Sequence, residues 1–197
     1  MQSQFTDKAR TALQLAERSA RKMKQGYVGT EHILLGLLEE GTGTAARVLV
    51  ENGADEQELK EMIRDLIAPV SPIPQKERDG YSPRAMAILE EAHRQAARFS
   101  SSLTGTEHIL LALIREGENV AVRLLNTCSL QPQKIYADTL AAMGQDPALY
   151  REDLGKKQKK KGQTATLEQY SRDMTAMAAA GKLDPVVGRE EEINRVI

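Results

Sequence analysis

The sequence lacks tryptophan, and only 4% of its 197 residues are aromatic. Any hydrophobic core therefore depends on Leu, Ile, Val, Ala and Met, a set that favours helices over strands. The single cysteine, Cys128, excludes a disulfide bond within the chain and is typical of a reducing compartment.

Long hydrophobic runs are also missing. No stretch approaches the roughly 18 apolar residues of a membrane span, and the first ten residues, MQSQFTDKAR, lack the apolar segment of a secretory signal. The formal net charge of −1 gives no electrostatic reason to bind nucleic acid or a membrane surface. We therefore expect a cytoplasmic protein with neither kind of partner. The stretch KKQKKK (156–161) has no aromatic neighbours, which favours a solvated linker over a nucleic-acid site.

A phosphate-binding loop of the pattern G-x-x-x-x-G-K-[ST] is absent as well, so the chain itself is not expected to hydrolyse ATP. Metal binding is also not expected. His32 and His108 each lack a second ligand at the spacing of an H-E-x-x-H site, which favours a structural role over a zinc site. Cys128 has Asn52 as its counterpart in the repeat described next, which argues against a reactive thiol.

The dominant positive feature is an internal repeat. The heptapeptide GTEHILL occupies residues 29–35 and again 105–111, and the match extends outward at a constant offset of 76. Between Phe5/Tyr81 and Arg64/Leu140, 19 of the 60 aligned pairs are identical. The chain therefore contains a tandem duplication.

Each copy predicts four helices. Thr6 and Ser82 are suited to cap the first helix, and Thr30 and Thr106 the second, which is apolar nearly all round and should lie at the centre. Gly41 is placed to end the second helix in the left-handed conformation, as is its counterpart Gly117. No segment alternates with the period of a strand. The prediction is an all-α, pseudo-two-fold bundle of eight helices.

The predicted organisation has five segments. Repeats span 1–67 and 81–143, joined by a proline-rich linker at 68–80, and a single copy has too thin a core to stand alone. We expect both halves to pack as one domain. Residues 144–166 hold almost no large apolar side chains and predict a flexible linker, whereas 167–197 regain apolar spacing and predict the start of another module.

Glu31 and Glu107 are the candidate functional residues. One interpretation is local, because a carboxylate in the first turn stabilises a helix through its dipole. The other is recognition, because a carboxylate binds a guanidinium through two parallel hydrogen bonds. The helix starts at Thr6 and Ser82 offer unpaired N–H groups that suit an anion. Together they predict a ligand with a cationic head and an attached negative group.

The duplicated motifs FTDKARTAL…GTEHILLGLL and YSPRAMAIL…GTEHILLALI resemble the paired Clp repeats that open Hsp100/Clp AAA+ unfoldases, and the form GTEHILLGL is most similar to the ClpC type. The tail TLEQYSRDMTAMAAAGKLDPVVGREEEINRVI resembles the entry to the first ATPase module of that family. The resemblance implies a non-catalytic N domain that docks adaptors of the MecA kind and substrates above an ATP-driven ring. That ring feeds the ClpP peptidase, and ATP and Mg²⁺ would belong to the ATPase modules.

For ClpC-type proteins the resemblance also implies recognition of phosphoarginine. It assigns the guanidinium to Glu31 and Glu107 and places the phosphate near Thr6 and Ser82. Thr30 and Thr106 would line the two pockets. The alternative from another class is a free-standing Clp-repeat adaptor that is not fused to an ATPase. The ATPase-like tail argues against it.

Overall fold

The computed structural model describes residues 4–66, 80–150 and 152–155 of the chain. Within these residues the regular structure is helical, with two isolated β-bridges and no strand, so the predicted all-α class is confirmed. Four helices form each repeat, as predicted: α1 (Asp7–Lys22), α2 (Thr30–Glu40), α3 (Thr44–Glu51) and α4 (Glu56–Leu66), then α5 (Pro83–Arg98), α6 (Thr106–Glu116), α7 (Val120–Thr127) and α8 (Pro132–Ala142). None of the described helices is both long and apolar enough to span a membrane.

Equivalent residues fix the helix boundaries in the two repeats. Thr6 and Ser82 cap α1 and α5, and their side-chain oxygens accept hydrogen bonds from the backbone N–H three residues later, at 3.2 and 3.1 Å. Gly41 and Gly117 end α2 and α6 with φ of 76° and 77°, the left-handed region that glycine adopts without steric cost. These predictions are confirmed.

The prediction that Thr30 and Thr106 cap α2 and α6 is wrong. Gly29 and Gly105 hold the N-cap positions, and the two helices begin at the threonines. The error arises because a threonine just before an apolar helix is assumed to cap that same helix. Here the threonine hydroxyls are used elsewhere in the fold.

Each of these threonines accepts a hydrogen bond from the first turn of a short helix in the other repeat. Oγ1 of Thr30 accepts a hydrogen bond from the N–H of Ala121 in α7 at 3.3 Å. Oγ1 of Thr106 accepts one from the N–H of Ala45 in α3 at 3.4 Å. Both threonines are buried, so these bonds satisfy helix-start N–H groups that water does not reach. The duplicated hydroxyl thus joins the repeats.

Replacing Thr30 by valine should lower the free energy of unfolding by about 1–2 kcal/mol, because the buried N–H of Ala121 loses its acceptor while the side-chain shape is kept. Urea unfolding followed by circular dichroism measures this change. The control is Thr30→Ser, which retains the hydroxyl and should be clearly less destabilised. Equal losses in the two variants would contradict this role of the hydroxyl as an acceptor.

The core is shared by both repeats. Helices α2 and α6 are buried on nearly every side, as predicted, and supply its largest apolar side chains. Helix α2 contacts α6 and α7, and α3 contacts α6 and α8. The halves therefore pack face to face, and each completes the core of the other. The fully buried leucines and isoleucines of these two helices are Ile33, Leu34, Leu35, Leu37, Ile109, Leu110, Leu111 and Leu113.

Part of the predicted 144–166 linker packs against the domain. Residues Pro147–Tyr150 form a 3-10 turn, and a short helix, α9, spans Glu152–Gly155. Asp153 is held there by Nη1 of Arg98 at 2.7 Å and by the hydroxyl of Tyr136 at 3.0 Å, and these bonds lower the pKa of its carboxyl against the opposing effect of burial. The rest of that linker, most of the inter-repeat linker and the predicted start of an ATPase module lie outside the described residues.

Candidate ligand-binding site

Backbone pairing between the repeats brings helix starts together. Just before α5, the N–H of Ser82 donates to the carbonyl oxygen of Val28 at 2.9 Å, while the N–H of Val28 donates to Gly80 at 2.8 Å. The segment that precedes α2 therefore runs parallel to the one that precedes α5. Because both segments lead directly into helices, the first turn of α2 lies beside the first turn of α5.

The same pairing recurs with the repeats exchanged. The N–H of Thr6 donates to the carbonyl oxygen of Thr104 at 3.0 Å, and the N–H of Thr104 donates to Gln4 at 2.8 Å. The start of α6 thus lies beside the start of α1. Each predicted glutamate is therefore grouped with the N-cap hydroxyl of the other repeat: Glu31 with Ser82, and Glu107 with Thr6.

A cavity of about 430 Å³ opens at the first of these junctions, and we call it the Glu31 site. Three of the six predicted residues line it, namely Thr30, Glu31 and Ser82. The remaining wall combines aromatic, basic and small side chains: Tyr27, Gly29, Tyr81, Pro83, Arg84 and Val120. The cavity therefore offers a carboxylate, a cation and two phenol rings within one concave surface.

The pseudo-symmetric junction groups the other three predicted residues, Thr6, Thr106 and Glu107, and we call it the Glu107 site. The hydroxyl of Thr106 donates to Oε2 of Glu107 at 3.3 Å, as that of Thr30 donates to Glu31 at 3.4 Å. The side chain of Glu31 is 13% exposed and that of Glu107 is 22% exposed. Both carboxylates therefore reach solvent, as a recognition role requires.

Glycine makes room for each carboxylate. A Cβ atom placed on Gly29 would lie 2.2 Å from Oε1 of Glu31, and one on Gly105 would lie 2.1 Å from Oε1 of Glu107. The carboxylates therefore fold back over the N-cap residue, close to the positive end of the helix dipole. This geometry explains why the motif has glycine two residues before the glutamate. The same position of the carboxylate also allows it to stabilise the helix start, which is the local role considered for the glutamates.

The histidines of the motif are structural. Nδ1 of His32 accepts a hydrogen bond from the N–H of Gly29 at 3.0 Å, and Nδ1 of His108 accepts one from Gly105 at 2.9 Å. Burial lowers the pKa of both imidazoles, and the adjacent glutamate carboxylate, 3.5 Å from each Nδ1, opposes that shift only partly. Within the described ranges no three His, Cys, Asp or Glu side chains are arranged to hold a metal ion.

The N-cap hydroxyls can contribute to anion binding. The oxygens of Thr6 and Ser82 already accept backbone hydrogen bonds, but each hydroxyl retains its proton as a donor. Arg84 adds a guanidinium to the wall of the Glu31 site. Helix α5 therefore contributes the hydroxyl and the basic side chain of this cavity, and α2 contributes the carboxylate.

A second cavity was not anticipated from the sequence. It measures about 380 Å³, is mainly apolar, and lies between α1 and α5. Its wall consists of five pairs of residues that are equivalent in the two repeats, so it lies where the repeats face each other: Phe5 and Tyr81, Arg10 and Met86, Leu13 and Leu89, Gln14 and Glu90, Glu17 and His93. Tyr81 lines both cavities. The clue in the sequence was the apolar pair Leu13/Leu89, next to which α5 also carries the exposed Met86.

Comparison with known proteins gives the family. The family described as Clp repeat (R) N-terminal domain matches residues 4–128, which is most of the chain and includes both copies of GTEHILL. This chain belongs to that Clp N-terminal domain family. The predicted Hsp100/Clp resemblance is therefore confirmed.

Curated relatives carry the same domain within longer chains. The chain is 41% identical over its full length to an ATP-dependent Clp protease ATP-binding subunit ClpA homolog of Guillardia theta, of which it covers 23%. It is 38% identical over its full length to the negative regulator of genetic competence ClpC/MecB of Bacillus subtilis, of which it covers 24%. The chain thus spans about a quarter of these relatives. The ClpC type stays a prediction, since differently named Clp proteins match equally well.

Solved structures support the Clp fold. The N-terminal domain of the chaperone ClpD from Arabidopsis thaliana matches with a TM-score of 0.61 and 20% sequence identity, covering 72% of this chain and 96% of that one. At this identity the comparison concerns the arrangement of helices alone. It agrees with the two packed four-helix repeats of the Clp domain.

Proposed function

We propose that this chain is the substrate- and adaptor-recognition domain of an ATP-dependent ClpC-type unfoldase that delivers proteins to the ClpP peptidase. We further propose that it recognises proteins phosphorylated on arginine. The observation that carries the proposal is the pairing of α2 with α5, which places a partly exposed carboxylate and a capped helix start in one 430 Å³ cavity. A phosphorylated guanidinium presents the complementary pair of charges.

The cationic part of the ligand is assigned to the glutamates. Glu31 and Glu107 each keep two carboxylate oxygens near the surface, and a planar guanidinium matches them with two parallel N–H donors. Thr30 and Thr106 hold one oxygen of each carboxylate in place. This fixed orientation supports recognition of a planar group rather than of a freely rotating ammonium.

The anionic part is assigned to the helix starts. In the Glu31 site, Ser82 and the first turn of α5 provide a hydroxyl and the positive end of the helix dipole. Arg84, on the same wall, provides a charge-assisted donor. In the Glu107 site, Thr6 and the first turn of α1 take the equivalent places. The domain binds its ligand and leaves chemistry to other modules, in line with a chain that lacks a phosphate-binding loop.

A second docking role is supported by the apolar cavity between α1 and α5. Its volume of about 380 Å³ accommodates one or two large side chains, and its mainly apolar wall suits segments of adaptors or of unfolded substrates. Cytoplasmic localisation and MecA-like adaptors stay predictions. A free-standing adaptor remains the competing function, and a G-x-x-x-x-G-K-[ST] loop downstream of Ile197 in the gene distinguishes the unfoldase from it.

Titration calorimetry with free phosphoarginine tests the proposal. The wild-type chain should bind it, and the double variant Glu31→Gln, Glu107→Gln should lose binding at the same concentrations. Each lost carboxylate should cost about 1.5–3 kcal/mol, the range for hydrogen bonds to charged groups, which is roughly 10- to 150-fold in affinity. Glutamine keeps the side-chain shape and removes the charge.

The matched control is Glu51→Gln, which neutralises an exposed carboxylate at the end of α3. This variant should bind phosphoarginine as the wild type does. Thermal unfolding of all three proteins verifies that they fold. If the double variant is folded and binds with unchanged affinity, the assigned site is wrong. If the wild type does not bind phosphoarginine, the proposed ligand is wrong.

A further inference from the structure

The two sites share the same motif, but their surroundings differ at equivalent positions. Tyr27 of the Glu31 site corresponds to Leu103, and Tyr81 corresponds to Phe5. On the anion side, Pro83 corresponds to Asp7 and Arg84 to Lys8. Each of these differences changes the affinity for one part of a charged ligand.

Aromatic rings are available to a guanidinium only at the Glu31 site among these pairs. Tyr27 is 37% exposed and lines that cavity together with Tyr81. In the other copy Leu103 has no π-system, and Phe5 is only 6% exposed and packs on His93 with ring centroids 4.6 Å apart. Arginine packs favourably on exposed aromatic faces, so the Glu31 site gains an attraction that its counterpart lacks.

A negative charge stands at the anion-binding half of the Glu107 site. Asp7 is the first residue of α1, directly after the Thr6 cap, and its side chain is 90% exposed. A phosphate bound at this helix start carries close to two negative charges and would be repelled by that carboxylate. The ion pair of Asp7 with Arg10, whose counterpart in the second repeat is the uncharged Met86, partly offsets this repulsion. At the Glu31 site the equivalent Pro83 carries no charge.

The basic residues differ in how they can bind phosphate. Arg84 lines the Glu31 cavity and presents a planar fork of N–H donors, of which Nη1 binds the carbonyl oxygen of Glu118 and Nε lies 3.9 Å from Oε1 of Glu116. Lys8 presents a single ammonium, which donates to the carbonyl oxygen of Thr42 at 2.9 Å. Arginine forms bidentate bonds to phosphate, whereas lysine acts as a point charge. This difference also favours the Glu31 site.

Building on the proposed function, we infer that the two sites are specialised: the Glu31 site is the high-affinity site for phosphorylated arginine, and Asp7 makes the Glu107 site select against the phosphate. The Glu107 site then holds an unmodified guanidinium at least as well as a phosphorylated one. A Clp domain of this kind would bind one phosphorylated arginine at the Glu31 site and one unmodified arginine, of the same or another substrate, at the Glu107 site.

Single-site variants separate the two affinities. Glu107→Gln leaves the Glu31 site intact, and Glu31→Gln leaves the Glu107 site intact. Titration calorimetry with phosphoarginine should give about tenfold tighter binding to Glu107→Gln than to Glu31→Gln, the factor expected from one unit charge a few ångströms from a phosphate in water. With unmodified arginine as the probe, the dissociation constants of the two variants should differ by a smaller factor.

Charge exchanges at the helix start test the role of Asp7. In the Glu31→Gln background, Asp7→Asn should strengthen phosphoarginine binding about tenfold and leave arginine binding unchanged or slightly weaker. In the Glu107→Gln background, Pro83→Asp should bind phosphoarginine more weakly, by a similar factor, than Pro83→Asn, which adds the same backbone N–H without the charge. Asparagine and aspartate are both well tolerated in a first helical turn, and thermal unfolding verifies that each variant is folded.

The outcomes separate this inference from the proposal on which it rests. If the wild type does not bind phosphoarginine, the proposed ligand is wrong and the specialisation falls with it. If both single-site variants bind phosphoarginine equally, the proposed function stands and the specialisation is overturned. If the affinities differ but Asp7→Asn changes nothing, Asp7 is not the residue that selects against phosphate.

Discussion

Replacing Gly36 by alanine is expected to lower the free energy of unfolding by about 3 kcal/mol, at the upper end of the range for overpacking a core. Gly36 lies in the middle of α2 where that helix crosses α1. A Cβ atom at this position would lie 2.2 Å from the carbonyl oxygen of Ala12, 2.8 Å from the backbone nitrogen of Ala16 and 3.1 Å from its Cβ. Because two of these three atoms belong to the backbone, the helices must separate to admit one methyl group.

The second repeat supplies the matched control for this prediction. The residue equivalent to Gly36 is Ala112, which is fully buried in α6. The change Ala112→Gly removes a methyl group that this repeat accommodates, and should cost only about 1 kcal/mol through helix propensity and the small space left behind. Urea unfolding measures both variants. A loss below about 1 kcal/mol for Gly36→Ala would contradict the close crossing of α1 and α2.

Acidification from pH 7.5 to 5.5 is expected to destabilise the domain through His32 and His108. Burial lowers the pKa of both imidazoles below the ordinary value, and the nearby glutamate only partly opposes this. In that window the unfolded chain binds more protons than the folded one, so stability is lost as pH falls below about 6.5. Protonation also places hydrogen on Nδ1, which now accepts from the glycine N–H.

The size of this effect follows from proton linkage. A histidine that stays neutral in the folded protein can cost at most about 1 kcal/mol per pH unit below its unfolded pKa, so the two together set an upper limit of about 3 kcal/mol for this window. Urea unfolding at both pH values measures it. Carboxylates with a lowered pKa, such as Glu91 and Asp153, lose their contribution only as pH falls through the acid range below this window.

The variant His32→Gln, His108→Gln isolates the contribution of the two imidazoles. Glutamine at the third helical position can still accept from the N-cap N–H but does not titrate, so the dependence on pH should flatten. His93, whose pKa burial also lowers, is present in both proteins and cancels from the difference. If the double variant is too unstable to measure, each single variant should lose half of the dependence. A wild-type stability that is constant over this range would contradict the prediction.

The geometry of the junctions explains why the motif is kept in both copies. In G-T-E-H, the glycine makes room for the carboxylate, the threonine accepts a hydrogen bond from a helix of the other repeat, and the histidine binds the N-cap N–H. Only the glutamate has oxygens left for a ligand. One short motif therefore builds the fold and presents the site, which is why the local and the recognition interpretations of Glu31 are compatible.

Short-range patterns along the chain were sufficient to predict the class of fold, the helix count and most helix boundaries. The spacing of apolar residues and the caps at Thr6, Ser82, Gly41 and Gly117 depend on neighbours within a few positions, so they can be recognised in a linear chain. The offset of 76 likewise established the duplication and the equivalence of Glu31 with Glu107. The sequence identified the candidate residues as equivalent pairs, but it did not show which of them meet in space.

The pairs of residues that meet across the two repeats became known from the packed fold. It joined Glu31 to Ser82, turned Thr30 toward Ala121 of the other repeat, and opened a cavity between α1 and α5. These contacts depend on hydrogen bonds between segments more than 50 positions apart, such as that from Ser82 to Val28. The helix propensity of a residue does not depend on which repeat supplies its hydrogen-bond partner. Sequence patterns therefore could not predict that these partners come from the other repeat.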